Sequence, residues 1–545
     1  MIKALKIQLV VLAIGLFFTG AAHAATITVT SIGDAVAVDG SVSLREAITS
    51  INNGANLNAD VVAVGAYGTS DTINFGIAGA GGHVISILTS LPPITKQITI
   101  NGYSQGPGTP NSAVTGNNSV HNLVITGFSI PSGDLLTLST GSSGSTIRGV
   151  VFDGCMTGAA IAIKNSQNNV IAGNFIGTNN AGGFDAVAPN SIGASLTASG
   201  ATDNISGNQI GGPNPPDRNV ISGNTTREIQ IVNSGGAGVI TTGIVVQNNY
   251  LGTNAAGTAA ISGSQQGIFM SEVQGVTIGG ASGSLGGSCS GVCNLISGSA
   301  NGVGIMVSGL TSSGNLIQGN FFGTDVTGTA VIPNGQLANI DVSATGSVTI
   351  GGTAAGTGNL ISGEPIQGTG ILFDGGGGGP YNVQGNYIGT TTTGNAVLAN
   401  AGSGIHVVGA TNVIIGGTTV AARNVIGGNG NGNTPKGPGI LMEGNLPGST
   451  ATAVIQGNNI GIGADGSTNI GNIGDGIDFI SSASGSTVGA STSGGLGGNI
   501  IAFMARVEPT APALACKTAL SKTKSSLTRS SVTLIPAVRL VLALT

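Results

Sequence analysis

IQGNFFGT, residues 317–324, has four near copies: IAGNFIGT (171–178), VQNNYLGT (246–253), VQGNYIGT (383–390) and IQGNNIGI (455–462), spaced 66 to 75 residues apart. Self-similarity at a period of tens of residues is the mark of a chain built by stacking one unit on the next. Two further motifs run in step with it. One is NVISGN (219–224), repeated as NLISGS (294–299), NLISGE (359–364), NVIGGN (424–429) and NIIAFM (499–504). The other is an Ile-Gly-Gly step at 210–212, 278–280, 350–352 and 415–417, weakening to Val488-Gly489-Ala490. Between them stand the short segments GIFM (267–270), GIMV (304–307), GILF (370–373), GIHV (404–407), GILM (439–442) and GIDF (476–479), with Asn-Ile-Asp-Val at 339–342 in the same slot. Their spacing of 31 to 37 residues divides each long repeat into two similar halves.

These segments are rich in Ile and Val and are separated by Gly, Asn, Ser and Thr, which tolerate turns and positive φ. Gly makes up 98 of 545 residues and aromatics only 3%. Strands too short to bury themselves, with no amphipathic helix between them, are satisfied by a parallel β-helix in which each coil pairs with the last at about 4.8 Å. A β-propeller would need about four longer antiparallel strands and an aromatic signature per repeat. In a β-helix IQGNFFGT is one wall and one corner of a coil. The recurring corner residues Asn174, Asn249, Asn320, Asn386 and Asn458 are then placed to bond their own turn or to stack as a ladder.

The two ends read differently. MIKALKIQLVVLAIGLFFTGAAHA has a basic start, an apolar run and the small-x-small end Ala22-His23-Ala24, so residues 1–24 are expected to be a signal peptide and the mature protein to be secreted or displayed at the cell surface. No later stretch reaches the roughly 18 apolar residues of a membrane span. Residues 25–110 are expected to form a cap and the first strands, and 111–504 the repeats. In SLREAITSIN (43–52), Ser43 and Glu46 have capping-box spacing, and Leu44, Ala47, Ile48 and Ile51 make an apolar stripe. Such a helix would cover the open end of the solenoid. Residues 505–545 form a basic tail. From Asn499 onward there is no Gly, six of the sixteen Lys and Arg crowd in, and the repeat phase stops at Phe503. A frameshift near 503–505 is expected, with a genuine basic tail as the alternative.

Asp39-Gly40 followed by SLREAI (43–48), then DTINF (71–75), PPIT (92–95) and ITINGYSQ (98–105), resembles the N-terminal CSLREA-type segment of exported bacterial β-helix proteins. The rest, to about residue 504, resembles their repeats. The resemblance implies an all-β, right-handed parallel β-helix of pectate-lyase-like fold with an N-terminal capping helix on Ser43, Leu44, Arg45, Glu46, Ala47 and Ile48. The family's Cys before SLREA falls on Val42, so no thiol acts at that place.

Residues 25–498 carry 8 Lys and Arg against 20 Asp and Glu, a balance that argues against nucleic acid and anionic membrane as partners, since both need clustered cations. Cys289 and Cys293 in GGSCSGVCN are a local disulfide or two free thiols; a metal site would want a second Cys pair or a nearby His. In the Gly-Ile-x-apolar strands the residue x faces outward. That slot holds Phe269, Asp341, His406 and Asp478 in alternate half-repeats, and Gln230, Met306, Leu372 and Leu441 in the others. Asp374 and Glu443 follow two places later. With one half-repeat per coil, successive slots lie about 5 Å apart and form a sparse acidic stripe.

Asp341, His406, Asp478, Asp374 and Glu443 are the catalytic candidates; solvated positions on an outward face are the plainer account of them. Glycoside cleavage needs two carboxylates roughly 5–10 Å apart, and β-elimination from a uronate needs a base and a cation, often calcium. The chain has no Asp-Asp pair, no Gly-His-Gly and no Arg-Ile-Lys, and its cations from 228 to 498 are Arg423 and Lys436. His83 and His121 stand alone beside apolar strands and read as structural. GGGGGP (375–380) reads as a corner loop, and TTTTGN (390–395) either as a surface able to bind a flat or repetitive partner such as ice or polysaccharide, or simply as Thr used for strand and corner. The expected function is a structural or adhesive β-helix presenting a repetitive polar surface to a polysaccharide or cell-surface component. No cofactor is expected. The alternative is a polysaccharide lyase, with calcium, or a glycoside hydrolase acting along the lateral face.

Overall fold

Alternation of Ile and Val with polar residues fixes which side of each strand faces inward, and the fold follows from stacking those sides. The computed structural model describes residues 24–503, except for 186–188, 237, 262, 300–301, 336, 345, 376–377, 432–436, 445–450, 482 and 490–496. The expected signal peptide, Ala24 apart, and the tail at 505–545 lie outside the described residues.

Three sheets of 14, 13 and 11 strands are parallel throughout, and the chain visits them in turn. Thr146–Arg148, Val151–Asp153 and Ala159–Lys164 form one coil, and Val170–Ala172 returns to the first sheet to begin the next. This is a right-handed parallel β-helix. Each half-repeat is one coil, so the period near 70 is two coils. Inside, residues of one kind stack in register: Ile147 on Ile171, Ile171 on Ile210, Ile278 on Ile317, and Ile317 on Ile350. All are fully buried, each contributing about 1.5–3 kcal/mol relative to exposure.

Register also shows that motifs distinct in sequence are one structural position. Ile317 pairs with Ile350, and Phe321-Phe322 pairs with Leu360-Ile361. IQGNFFGT and the combination of Ile-Gly-Gly with NLISG are therefore two spellings of one corner, the second carrying six more residues between Ile350 and Asn359 than the first has between Ile317 and Asn320. At that corner Asn174, Asn219, Asn249, Asn294, Asn320, Asn359, Asn386, Asn424, Asn458 and Asn499 stack as a buried ladder. Asn320 is representative. Its Nδ2 donates to the Ile278 carbonyl at 2.9 Å and its backbone N–H donates to Asn359 Oδ1 at 2.9 Å, while its Oδ1 accepts from Asn294 Nδ2 at 2.9 Å. Each Asn thus satisfies turn groups that water cannot reach.

The Gly of the Gly-Ile-x-apolar strands has its own cause. A Cβ on Gly370 would lie 2.5 Å from the carbonyl oxygen of Gly404 in the next coil, and one on Gly404 would lie 2.7 Å from that of Gly439. At the front end, helix α1 (Leu44–Asn53) is capped by Ser43 and Glu46 in a reciprocal capping box. It buries Leu44, Ala47, Ile48 and Ile51 in the apolar core beside the first strands. Arg45 pairs with Asp34 at 2.7 Å and donates to the carbonyls of Thr89 and Ser90, tying the cap to the loop after the first strand of the 13-stranded sheet.

The outer face of the 13-stranded sheet is covered. After each IQGNFFGT-type corner the chain makes a small antiparallel loop, bridged at Thr253–Ala260, Thr324–Val331 and Thr390–Val397. These loops stack on one another, Val326 N–H on the Gly257 carbonyl and Thr392 N–H on that of Gly328. Beneath them lies a second apolar cluster that includes Phe175, Tyr250, Leu295, Phe321 and Leu360. Cys289 and Cys293, joined as a disulfide, belong to this cluster. TTTTGN (390–395) is part of this cover and not an open threonine array: Thr390 and Thr392 are buried, and the Thr392 hydroxyl donates to the Gly287 carbonyl at 2.9 Å.

Replacing a ladder residue should cost far more than its size implies, because it orphans buried backbone groups on two coils. Asn320→Ala is expected to lose about 2–4 kcal/mol by urea denaturation. A loss under about 0.5 kcal/mol would show that the ladder does not hold the corner.

Candidate functional site

Three lateral faces are available, and the chain uses them differently. The outer face of the 14-stranded sheet is polar and neutral where its glutamines stand: Gln247, Gln318, Gln384 and Gln456 donate to the carbonyls of Gly279, Gly351, Gly416 and Gly489. The 13-stranded face is covered. The outer face of the 11-stranded sheet is where titratable groups meet.

There Met306, Asp341, Leu372, His406, Leu441 and Asp478 occupy one row in strict register over six strands. A second row, two residues further along, holds Asp374, Val408 and Glu443. Asp374 is thus one coil on and two residues along from Asp341, a diagonal of about 8 Å between Cα atoms. His406 is one coil beyond Asp374 in the first row, and its Nε2 lies 3.0 Å from Glu443 Oε2. Asp341, Asp374, His406 and Glu443 therefore zigzag across four adjacent coils. Asp478 continues the zigzag one coil beyond Glu443, on the same diagonal of about 8 Å, and marks its far end, four coils and roughly 19 Å from Asp341.

Asp341 is not the solvated outward residue that its slot implies. It is 5% exposed, and its Oδ1 is buried with no hydrogen-bond partner. Burial, reinforced by the nearby charge of Asp374, pushes its pKa up to about 6. Burial holds His406 below the ordinary imidazole value, against the opposing hydrogen bond and charge of Glu443 and the charge of Asp374. The arrangement offers one carboxyl that keeps its proton to weakly acidic pH, one carboxylate diagonally across from it, and a His–Glu pair beside them. It is able to donate and accept hydrogen bonds to hydroxyl groups along about three strand spacings, roughly 14 Å. Among the described residues no three His, Cys, Asp or Glu side chains come together as a metal-binding group.

Sequence reasoning missed several buried charged residues, Arg218, Glu228 and Glu364 among them. Arg218 is fully buried; it donates to the carbonyls of Ala113, Val114 and Gly116 and lies over the Tyr250 ring, pinning the 111–118 loop against the covered face. Glu228 and Glu364 belong to a second ladder at the corner between the 13- and 11-stranded sheets. In that ladder Asn190 donates to Asn224, Asn400 to Asn429, and Asn429 to Asn472. Glu364 takes an asparagine's place: its Oε1 accepts from Asn334 N–H at 3.3 Å and its own N–H donates to Asn400 Oδ1 at 3.2 Å. The signal was in the repeat, since NLISGE ends in Glu where NVISGN and NVIGGN end in Asn. His121 packs against the rings of Tyr103 and Phe175, and burial lowers its pKa to about 4. His83 is a buried strand residue whose Nε2 has no partner.

No family model matches the chain, and no curated protein matches it. Solved structures do. The A-module of the mannuronan C-5 epimerase AlgE4 from Azotobacter vinelandii is 10% identical over 77% of this chain and 91% of that chain, with a TM-score of 0.36. The periplasmic alginate epimerase AlgG is 11% identical over 76% of each chain, with a TM-score of 0.30. PfbA, a surface adhesin of Streptococcus pneumoniae, is 12% identical over 83% of this chain and 89% of that chain, with a TM-score of 0.27. At these values the chemistry of this chain is argued from its own residues.

The Asp341 proton gives a signed test. An unfolded aspartate loses its proton near pH 4, whereas the folded chain keeps this one to about pH 6. The folded state binds more protons between those values, so stability falls as pH rises from about 4 to about 6 and is then flat with respect to this group. Asp341→Asn should match the wild type near pH 4 and exceed it at pH 7 by at most about 2–3 kcal/mol in urea denaturation. A variant less stable than wild type at pH 7 would contradict the assignment.

Proposed function

We propose that the protein is an exported structural or adhesive β-helix that binds glycans along the outer face of its 11-stranded sheet. The observation that carries this is the register placing Asp341, Asp374, His406 and Glu443 on adjacent coils of one lateral face. Below them the same face presents Ser271, Ser308 and Ser343 in one row and Gln230 and Phe269 in the other. Hydroxyl, amide and carboxyl groups at a repeat of about 4.8 Å suit a polymer of hydroxyl-bearing units, each contact weak and the sum multivalent. Arg227, over the Phe269 ring, is three coils below Asp341, and among the described residues no Lys or Arg stands beside the zigzag itself, which argues there for neutral or weakly acidic saccharides over strongly anionic ones.

A second reading is a polysaccharide lyase or hydrolase on the same face. Asp341 supports it, as a buried carboxyl that stays protonated to about pH 6 with a second carboxylate on the diagonal resembles a general acid and its partner. Against it, the described residues put no Lys or Arg beside Asp341, Asp374 or His406 to stabilise a developing uronate charge.

The two readings separate in one assay. The full-length secreted protein is incubated with neutral and acidic polysaccharides, with and without calcium, and both retained binding and new reducing ends or unsaturated products are measured. Binding without turnover is expected, with retention falling about 3- to 10-fold in Asp341→Ala and in His406→Ala. Turnover that disappears in those variants would establish the enzyme instead.

A further inference from the structure

Beside the acidic zigzag, at the corner between the 13- and 11-stranded sheets, lies a recess of about 420 Å³. It is lined by Val331, Glu364, Pro365, Ile366, Ala401 and Asn431, among others. These residues sit in the loops that lead into Ala338–Ala344, Thr369–Asp374, Ile405–Val408 and Ile440–Glu443, the four strands that carry Asp341, Asp374, His406 and Glu443. Recess and zigzag thus belong to the same four coils. From the start of a strand at Thr369 to the row of Leu372 is about 10 Å at 3.3 Å per residue.

Two features mark the recess as more than a gap between loops. Glu364 is 2% exposed, and its Oε2 has no hydrogen-bond partner, in a ladder where the amides of Asn400 and Asn429 are paired from coil to coil. Such an orphaned buried oxygen is uncommon and asks for an explanation. Ile366, two residues on, has φ of 59° and is 56% exposed. A β-branched residue held in the left-handed region and presented to solvent is an outlier of the kind that collects at ligand sites.

The lining sets the ligand's chemistry. Val331, Pro365, Ile366 and Ala401 supply apolar wall, Glu364 and Asn431 the side chains that hydrogen-bond, and among the described residues the lining holds no Lys, Arg or His. An anion would meet a carboxyl with no counter-charge. Burial holds the Glu364 carboxyl well above the usual carboxylate range, which favours the protonated form, with one oxygen to donate from and one to accept with. A sugar hydroxyl both donates and accepts, and a pyranose ring also has apolar C–H faces.

We propose that this recess is a subsite for one neutral, hydroxyl-bearing sugar residue of a chain whose remainder lies across Asp341, Asp374 and His406. The proposal rests on the glycan-binding function above and adds to it the place and chemistry of one unit.

The test is calorimetric titration of the full-length secreted protein with cellotetraose, maltotetraose and laminaritetraose, and with tetragalacturonate as the acidic counterpart. Val331→Trp fills the recess from its rim, where Val331 is 48% exposed, and leaves the ladder untouched. Glu364→Leu removes the orphaned carboxyl at similar volume. At least one neutral tetramer should bind, and both variants should weaken it at least tenfold with the circular dichroism spectrum unchanged. Equal affinity in wild type and Val331→Trp, binding by tetragalacturonate alone, or binding by no tetramer would overturn the subsite. If long polymers are still retained in an Asp341-dependent way, only the subsite fails; if no polysaccharide is retained, the glycan-binding function fails with it.

Discussion

Each coil of this β-helix must turn sharply with backbone amides that water cannot reach, and at the tightest turn one asparagine per coil meets that demand. A single side chain that both donates and accepts can bond the turn below and the asparagine above, which is why the ladder runs unbroken from Asn174 to Asn499. The rest of the architecture inherits its register. With the corner fixed, the inward Ile and Val fall on one another coil after coil, and a slip by one residue would turn every one of them outward.

That fixed register also decides where function can sit. The stacked loops over Phe321 and Tyr250 close the 13-stranded face, and glutamines bonding from coil to coil occupy the 14-stranded one. The remaining face receives whatever the x position of Gly-Ile-x-apolar carries, so a polar choice at that slot in a few coils is enough to build a patch. Asp341, Asp374, His406, Glu443 and Asp478 form a line because five successive strands happen to carry a titratable side chain at one of two outward slots.

Much of this was legible before any coordinates. The eight-letter repeat dictated the stacked architecture, the spacing of the Gly-Ile-x-apolar segments gave one coil per half-repeat, and the capping-box spacing of Ser43 and Glu46 matches helix α1. The outward slots were legible too, because strand alternation is strict. What the sequence could not show was burial of those slots: Asp341 reads as solvated until its surroundings are seen. Nor could it show that IQGN and NLISG share a corner, because the insertion between Ile350 and Asn359 hides the match. Glu364 escaped for a related reason. Its substitution for the Asn that ends NVISGN and NVIGGN was visible in the repeat, but the role of that position was not, because the coil-to-coil pairing that makes it a ladder appears only in the fold.

The central claim is that recognition takes place on the outer face of the 11-stranded sheet, in the coils between Ala338 and Glu443. Hydrogen exchange of the protein, followed by mass spectrometry with and without a retained polysaccharide, examines it most directly. Slowed exchange is predicted in peptides covering Ala338–Ala344, Thr369–Asp374, Ile405–Val408 and Ile440–Glu443 and in the loops leading into them. Protection confined to the stacked loops around Thr324–Val331 and Thr390–Val397, on the opposite side of the 13-stranded sheet from the apolar core, would contradict it.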